Sequence, residues 1–171
     1  GRIGSMVARF AHDGLGMKII YTDVIRYPEI EKTVNAKKVS LATLCKQADV
    51  ISLHVPLLPS THHLISAPQL NLMKKTALLI NTARGPIISE QALLKALYNK
   101  KIAGAALDVY ECEPLIDCDV TDHRALRKLP NVILTPHIAS ATREARDEMA
   151  ATAARNIVAV LTGKKPLTPI V

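Results

Sequence analysis

Three short segments combine ionisable side chains with turn residues, and each follows an apolar run. Residues 81–85 read NTARG, residues 107–114 read LDVYECEP, and residues 134–140 read LTPHIAS. The histidine of the third segment has an ordinary pKa near ~6.5, so it can accept or release a proton near neutral pH. The arginine of the first segment is a planar, permanently charged group that suits a carboxylate. These residue types are suited to proton transfer on a substrate that carries a carboxylate.

A fourth candidate site lies at the beginning of the chain. Gly1 and Gly4 match the second half of a Gly-x-Gly-x-x-Gly turn, in which a helix N-terminus holds a pyrophosphate. Asp23 follows about 20 residues later, the spacing at which an acid binds the adenosine ribose hydroxyls. A carboxylate there repels the 2′-phosphate of NADP and favours NAD, although Arg26 and Lys32 keep NADP open as an alternative.

These segments need a scaffold that brings them to one place, and the chain alternates strand-like with helix-like stretches. The predicted buried strands are 18–21, 50–55, 77–80, 102–107 and 132–134, and the clearest helix is 89–98. This alternation predicts an α/β fold with a Rossmann-type, doubly wound parallel sheet, in which ligands bind beyond the carboxyl ends of the strands. The first strand of such a sheet, central in the order 3-2-1-4-5-6, is missing from the chain. The strands beside it are therefore expected to face an empty slot.

The tail differs from the rest of the chain. Residues 142–161 have a long helical pattern that ends before Gly163 and Pro166, a typical helix stop. We therefore predict one domain over residues 1–141, incomplete at its N-terminus, and a helix and tail over 142–171. Residues 115–130 are expected to form a surface loop.

The motifs Asn-x-Ala-Arg-Gly, Leu-Asp-Val-x-x-x-Glu-Pro and Pro-His-Ile-Ala resemble, in this order, the signatures of the D-isomer-specific 2-hydroxyacid dehydrogenases. The resemblance implies an NAD-binding domain of an oxidoreductase that transfers a hydride between NAD(H) and a D-2-hydroxy acid/2-keto acid pair. It implies His137 as the acid/base, Glu113 as the carboxylate that hydrogen-bonds its imidazole, and Arg84 as the group that binds the substrate. Glu111 is a nearby competitor for the role of Glu113. The residues expected to bind the cofactor are Gly1, Arg2, Ile3, Gly4, Asp23, Val55, Thr82, Ala83, Arg84, Asp108 (beside the nicotinamide) and His137.

The resemblance also implies a small 2-hydroxy or 2-keto acid as the partner molecule and a homodimer in the intact protein. The substrate domain of the family, which precedes and follows the cofactor domain, is absent, so the chain alone is expected to be inactive. Two alternatives stay open: an NAD-sensing binding module similar to the corepressor relatives of this family, and a catalytically inert fragment. Turnover of a 2-keto acid by the full-length parent would distinguish the oxidoreductase from the binding module.

Composition narrows the function classes. The net charge of +7 invites a nucleic-acid partner, but the basic residues are scattered in pairs and aromatic residues are 3% of the chain, which argues against it. No apolar stretch reaches the length of a membrane span, and no secretory signal opens the chain. The three cysteines suggest no disulfide framework, so reduced thiols and a cytoplasmic location are expected. Neither the His62–His63 pair nor the pair Cys112 and Cys118 has a metal-ligand pattern, so no metal is expected.

Overall fold

The computed structural model describes residues 1–113 and 123–169. The chain forms two compact units, residues 1–136 and 137–171. Within the described residues of the first unit, the helices are α1 (Arg2–Leu15), α2 (Pro28–Thr33), α3 (Leu41–Gln47), α4 (Ala67–Leu72), α5 (Glu90–Tyr98) and α6 (His123–Arg127), with a 3-10 turn at Gly85–Ile87. The strands are β1 (Ile20–Tyr21), β2 (Lys37–Lys38), β3 (Val50–Leu53), β4 (Leu78–Asn81), β5 (Gly104–Leu107) and β6 (Val132–Leu134).

A four-stranded parallel sheet forms the centre of the first unit, in the order β3-β4-β5-β6. Its strands are short apolar runs in which Ile51, Leu53 and Leu79 are buried, whereas Leu78 and Ile133 on the other face are exposed. The fully buried side chains of Leu79, Ile87 and Leu93 belong to the core that joins the sheet to its helices. The predicted α/β fold with parallel strands is confirmed.

A separate two-stranded parallel sheet consists of β1 and β2. A cavity of about 600 Å³ is lined by residues of β1, β3 and α1. Among the described residues, β1 and β3 do not pair with each other. The two strands that are predicted to flank the missing first strand are β1 and β3. They therefore lie in two different sheets, and the cavity lies between them.

The helix α5 follows its predicted boundaries because a side chain caps it. The Ser89 hydroxyl accepts a hydrogen bond from the Ala92 N–H at 3.4 Å and begins α5, whose Leu93 and Leu97 are buried. At the front of the chain the prediction is less accurate. Gly1 and Gly4 are both expected in a turn, but α1 begins at Arg2, so Gly1 is its N-cap and Gly4 already lies within the helix.

The second unit begins at His137 and contains α7 (Arg143–Leu161). The Thr142 hydroxyl accepts from the Ala145 N–H at 3.1 Å, and Gly163 adopts a left-handed φ of 75° after the helix, so the predicted boundaries are confirmed. The Asn156 side-chain oxygen accepts from the Leu167 N–H at 2.7 Å, which returns the tail to its own helix. Among the described residues, no helix is long and apolar enough to cross a membrane.

Two expectations about the central and later parts of the chain need correction. The segment 115–130 is not entirely loop, because α6 lies within it and its Leu126 is buried at 2% exposure; residues 114–122 lie outside the described part of the chain. Cys112 is buried and disulfide-bonded, contrary to the expectation of reduced thiols. Cys45 is a free, buried cysteine, and Cys118 lies outside the described residues.

Candidate functional site

The carboxyl ends of the sheet strands are aligned. The parallel register pairs Leu53 with Asn81, Asn81 with Leu107, and Leu107 with Leu134. The loops that follow these four residues therefore begin side by side, at the edge where open α/β sheets bind ligands. This register places the loops that carry Val55, Arg84 and Glu113 along one edge of the first unit.

Asn81 organises the first of these loops. Its side chain is 1% exposed; its Oδ1 accepts from the Ala83 N–H at 3.0 Å and its Nδ2 donates to the Arg84 carbonyl at 2.9 Å. An asparagine can replace a backbone turn in this way. The Arg84 backbone is thus fixed while its side chain is exposed, with Nη1 donating to the Ala83 carbonyl at 2.6 Å. Thr82 is exposed and Ala83 is half-buried beside it.

The Arg84 loop packs directly against the loop that follows β5. A Cβ atom on Gly85 would lie 1.8 Å from the Tyr110 carbonyl oxygen and 2.5 Å from the Glu111 nitrogen. Only a glycine permits this approach of two backbones. Arg84 and Glu113 therefore belong to loops that touch each other.

Asp108 is buried, at 3% exposure, rather than open to solvent. The Thr135 hydroxyl donates to its Oδ1 at 2.5 Å, and its own N–H donates to the Asn81 carbonyl at 2.9 Å. The Tyr110 hydroxyl donates to the Thr135 carbonyl at 2.8 Å. These bonds join the ends of β4, β5 and β6 into one polar framework, and the placement of Asp108 beside a nicotinamide stays a prediction.

The two competing glutamates have different surroundings. The Glu111 side chain contacts His63 Nε2 through Oε1 and accepts from the Glu90 N–H through Oε2 at 2.8 Å. Glu113 is exposed, and its Oε2 accepts from the Tyr110 N–H at 3.4 Å. Both oxygens of Glu111 have partners inside the first unit, and the assignment of Glu113 as the carboxylate beside the imidazole stays a prediction.

His137 is the first residue of the second unit; it is exposed and has a left-handed φ of 54°. It follows Thr135 by two residues, and the Thr135 N–H donates to the Leu107 carbonyl at 3.0 Å within the first unit. The assignment of His137, Arg84 and Glu113 to one catalytic group stays a prediction.

The start of α1 has the features of a phosphate-binding helix. Gly1 is the N-cap and offers no side-chain cap to the N–H groups of the first turn, where Arg2 and Ile3 are exposed. Such N–H groups have no acceptor within their own helix. A Cβ on Gly4 would lie 3.4 Å from the ring of His54, so α1 approaches the end of β3 closely.

Asp23 lies at the same cavity as the start of α1. Its Oδ2 is 3.9 Å from the Gly1 nitrogen, and its Oδ1 accepts from the Ile25 N–H at 3.3 Å. The cavity of about 600 Å³ is lined by Gly1, Gly4, Asp23, His54 and Val55, among other residues. Helix donors beside a carboxylate suit the pyrophosphate and ribose of a dinucleotide.

Arg26, one of the cations that keep NADP open as an alternative cofactor, is paired with a glutamate in the structure. Its guanidinium donates to both oxygens of Glu31, at 3.2 and 2.5 Å. Bonds from Arg26 and from the Tyr21 hydroxyl hold the pKa of Glu31 below its ordinary value, so this carboxylate stays charged. Lys32 is exposed. The arrangement therefore favours NAD over NADP.

The sequence did not predict that His54, His63 and Glu90 make side-chain contacts near the candidate site. The His54 imidazole is half-buried at the cavity, bonds through Nε2 to the Ser52 hydroxyl at 2.9 Å, and has a pKa lowered by burial. Glu90 is 5% exposed, and its carboxylate accepts from the Glu111 N–H. Within the described residues, no group of three or more His, Cys, Asp or Glu side chains is arranged to hold a metal ion.

Comparison with known proteins gives one family. The family model described as the NAD-binding domain of D-isomer-specific 2-hydroxyacid dehydrogenases matches residues 1–139. The chain is 49% identical over 166 residues to a glyoxylate reductase of Thermococcus litoralis, covering 97% of this chain and 48% of that protein. A glyoxylate reductase of Thermofilum pendens is also 49% identical, over 167 residues, with the same coverage. The chain spans about half the length of the curated relatives it matches.

Solved structures show the same similarity. A D-lactate dehydrogenase with NAD⁺ from Lactobacillus jensenii has a TM-score of 0.89 and 36% identity, covering 100% of this chain and 53% of that one. The holo form of a D-mandelate dehydrogenase from Rhodotorula graminis has a TM-score of 0.91 and 40% identity, covering 99% of this chain and 48% of that one.

Proposed function

Because the chain belongs to the D-isomer-specific 2-hydroxyacid dehydrogenases, as their NAD-binding domain, we propose that it serves hydride transfer between NAD(H) and a D-2-hydroxy acid/2-keto acid pair. The observation that carries the proposal is the position of Asp23 beside the start of α1, with the Gly1 nitrogen 3.9 Å from Asp23 Oδ2. It combines donors for a pyrophosphate with an acceptor for ribose hydroxyls on one side of the sheet edge.

The catalytic roles follow the motifs. Bound nicotinamide would supply or accept the hydride. His137 would give a proton to the carbonyl oxygen of the keto acid, or take one from the hydroxyl of the hydroxy acid, a role that contributes about 10²–10⁴-fold in such reactions. Arg84 would bind the substrate carboxylate with its exposed guanidinium. Glu113 would support the cationic form of His137.

Substrate and cofactor choice are proposed at the level of class. The relatives named above act on glyoxylate, D-lactate or D-mandelate by their names, so we propose a small 2-keto acid. Glyoxylate is the first to test, because those relatives share the higher identity. NAD is proposed over NADP because Asp23 lies at the cavity while Arg26 is held by Glu31.

Assembly, location and domain limits also remain proposals. A homodimer with no nucleic-acid partner and no membrane association follows the resemblance and the scattered charges. A cytoplasmic location is kept as a proposal, and the disulfide-bonded Cys112 does not support it. The division after residue 141 into a cofactor domain and a returning helix and tail is kept as a prediction. Light scattering of the purified protein would test the dimer.

The first experiment is a titration of the 171-residue chain with NADH and with NADPH, followed by fluorescence, beside an Asp23→Ala variant. We expect NADH to bind more tightly than NADPH, and Asp23→Ala to weaken NADH by about 10-fold, the value of one or two good hydrogen bonds. Asp13→Ala, an exposed acid on α1, is the control. Absence of NADH binding both in this chain and in a longer polypeptide that contains it would reject the cofactor assignment.

The second experiment measures NADH oxidation with glyoxylate, pyruvate and hydroxypyruvate, on the chain and on any longer polypeptide that contains it. We expect turnover only when a substrate domain is present. NADH binding without turnover in the longer polypeptide would favour the NAD-sensing module. Neither binding nor turnover would favour an inert fragment.

A further inference from the structure

His63, Glu90 and Glu111 form a connected network outside the three catalytic residues. The Glu90 N–H donates to Glu111 Oε2 at 2.8 Å, and the Glu111 N–H donates back to Glu90 Oε1. His63 Nε2 contacts the second Glu111 oxygen, Oε1. Each of these residues therefore has a partner from a different part of the chain, and the two glutamates exchange bonds in both directions.

The network contains charges that are costly to hold away from water. Glu90 is 5% exposed and the Glu111 side chain is 12% exposed. Burying a carboxylate is unfavourable unless its oxygens are hydrogen-bonded, and an apolar pair would pack here without that cost. Glu111 also accepts at the N-terminus of α5, where a negative charge is favourable. This concentration of fixed charge suggests a role in geometry rather than in packing alone.

The network joins the two loops that carry the proposed catalytic residues of the first unit. Glu111 precedes Glu113 by two residues. The His63 N–H donates to the Pro86 carbonyl at 2.8 Å, two residues after Arg84. One histidine therefore contacts the Arg84 loop through its backbone and the Glu113 loop through its ring.

We propose that His63, with Glu90 and Glu111, is a positioning residue that fixes the Glu113 loop against the Arg84 loop. The proposal rests on the proposed function, since it assigns a purpose to the relative position of these two side chains. His63 itself touches neither substrate nor cofactor in this proposal. Its ring holds Glu111, and Glu111 holds the backbone that leads to Glu113.

The test compares His63→Ala with His63→Gln in the polypeptide that reduces a 2-keto acid. Gln can donate a hydrogen bond to Glu111 and is the conservative rescue. His62→Ala is the matched control, because His62 is an exposed neighbour that stacks on the His63 ring at 4.0 Å. Each variant is first checked for cooperative thermal melting, and rates are measured well below its melting temperature.

We expect His63→Ala to lower kcat by about 10- to 100-fold, as small displacements of catalytic groups do. NADH affinity should change less than twofold, because the start of α1 and Asp23 lie outside the network. His63→Gln should recover most of kcat, and His62→Ala should match the wild type. A folded His63→Ala variant with the kcat of His62→Ala would overturn the proposal, as would equal losses in His63→Ala and His63→Gln.

Amide hydrogen exchange separates this proposal from the proposed function. In the 171-residue chain, His63→Ala should accelerate exchange at the Glu90 and Glu111 amides, and His62→Ala should not. If the wild-type protein turns over no 2-keto acid, the proposed function fails, and the exchange result alone decides whether the network fixes the loops. Unchanged exchange at both amides in His63→Ala would reject the network as a positioning device.

Discussion

Gly85 is the residue at which the two site loops approach most closely. A Cβ there would lie 1.8 Å from the Tyr110 carbonyl oxygen, so Gly85→Ala must move one loop. We expect a loss of about 1–3 kcal/mol or more of unfolding free energy, seen as a melting temperature lower by several degrees. Gly14→Ala is the control, because nothing lies within 4 Å of its Cβ and alanine favours the helix. Equal melting temperatures for the two variants would show that the loops are not in contact.

His54 should make stability depend on pH. Burial lowers the pKa of its imidazole in the folded chain, whereas the unfolded chain titrates near ~6.5. The unfolded state therefore binds the proton first, so the stability present above about pH 6.5 declines as the pH falls through ~6.5 toward the folded pKa. We expect His54→Gln to lose less unfolding free energy than the wild type between neutral and mildly acidic pH, as measured by urea denaturation. The exposed His62→Gln should follow the wild type; a His54→Gln curve parallel to wild type would contradict the prediction.

The residues that could be predicted from the sequence are those within local motifs. Asp23, Arg84 and Glu113 are predicted because each has a fixed spacing to a glycine or proline, and their roles stay predictions. The pairing of His63 with Glu111 joins residues 48 positions apart, and a histidine in a polar segment gives no local sign of such a partner. The burial of Asp108 was missed for the same reason, since it depends on Thr135, 27 positions away.

At the scale of elements, apolar runs gave the four strands of the main sheet and side-chain caps gave the boundaries of α5 and α7. The sequence did not indicate β2, because Lys37 and Lys38 are both exposed and show no apolar pattern. Strand ends were also overestimated: the predicted run 102–107 begins as a strand only at Gly104. A strand begins only where it has a paired neighbour, and Gly104 is the residue that pairs with Leu78, the first residue of β4.

The edge of β3 that faces the cavity gives a prediction for this element. The Leu78 N–H donates to the Asp49 carbonyl, and backbone groups alternate along a strand, so the N–H groups of Ile51 and Leu53 point toward β4. Those of Val50 and Ser52 point toward the cavity side. In the 171-residue chain, we expect amide exchange at Val50 and Ser52 to be much faster than at Ile51 and Leu53, by NMR. Equal protection of all four amides would mean that another strand pairs with this edge.

At the scale of the whole molecule, the net charge of +7 should assist the binding of an anionic dinucleotide. Raising the ionic strength from about 0.01 M to about 0.15 M shortens the screening length from about 30 to about 8 Å, so NADH affinity should fall several-fold.

Lys38 should contribute to this attraction, because its Nζ donates to the Val24 carbonyl at 3.2 Å, next to Asp23. Lys38→Gln is therefore expected to weaken NADH binding at low salt and to reduce the salt dependence. Lys74→Gln removes the same charge, but Lys74 is paired with Asp49 at 2.8 Å, so its effect should be smaller. Identical titrations for the two variants would show that overall charge, rather than the position of Lys38, attracts the cofactor.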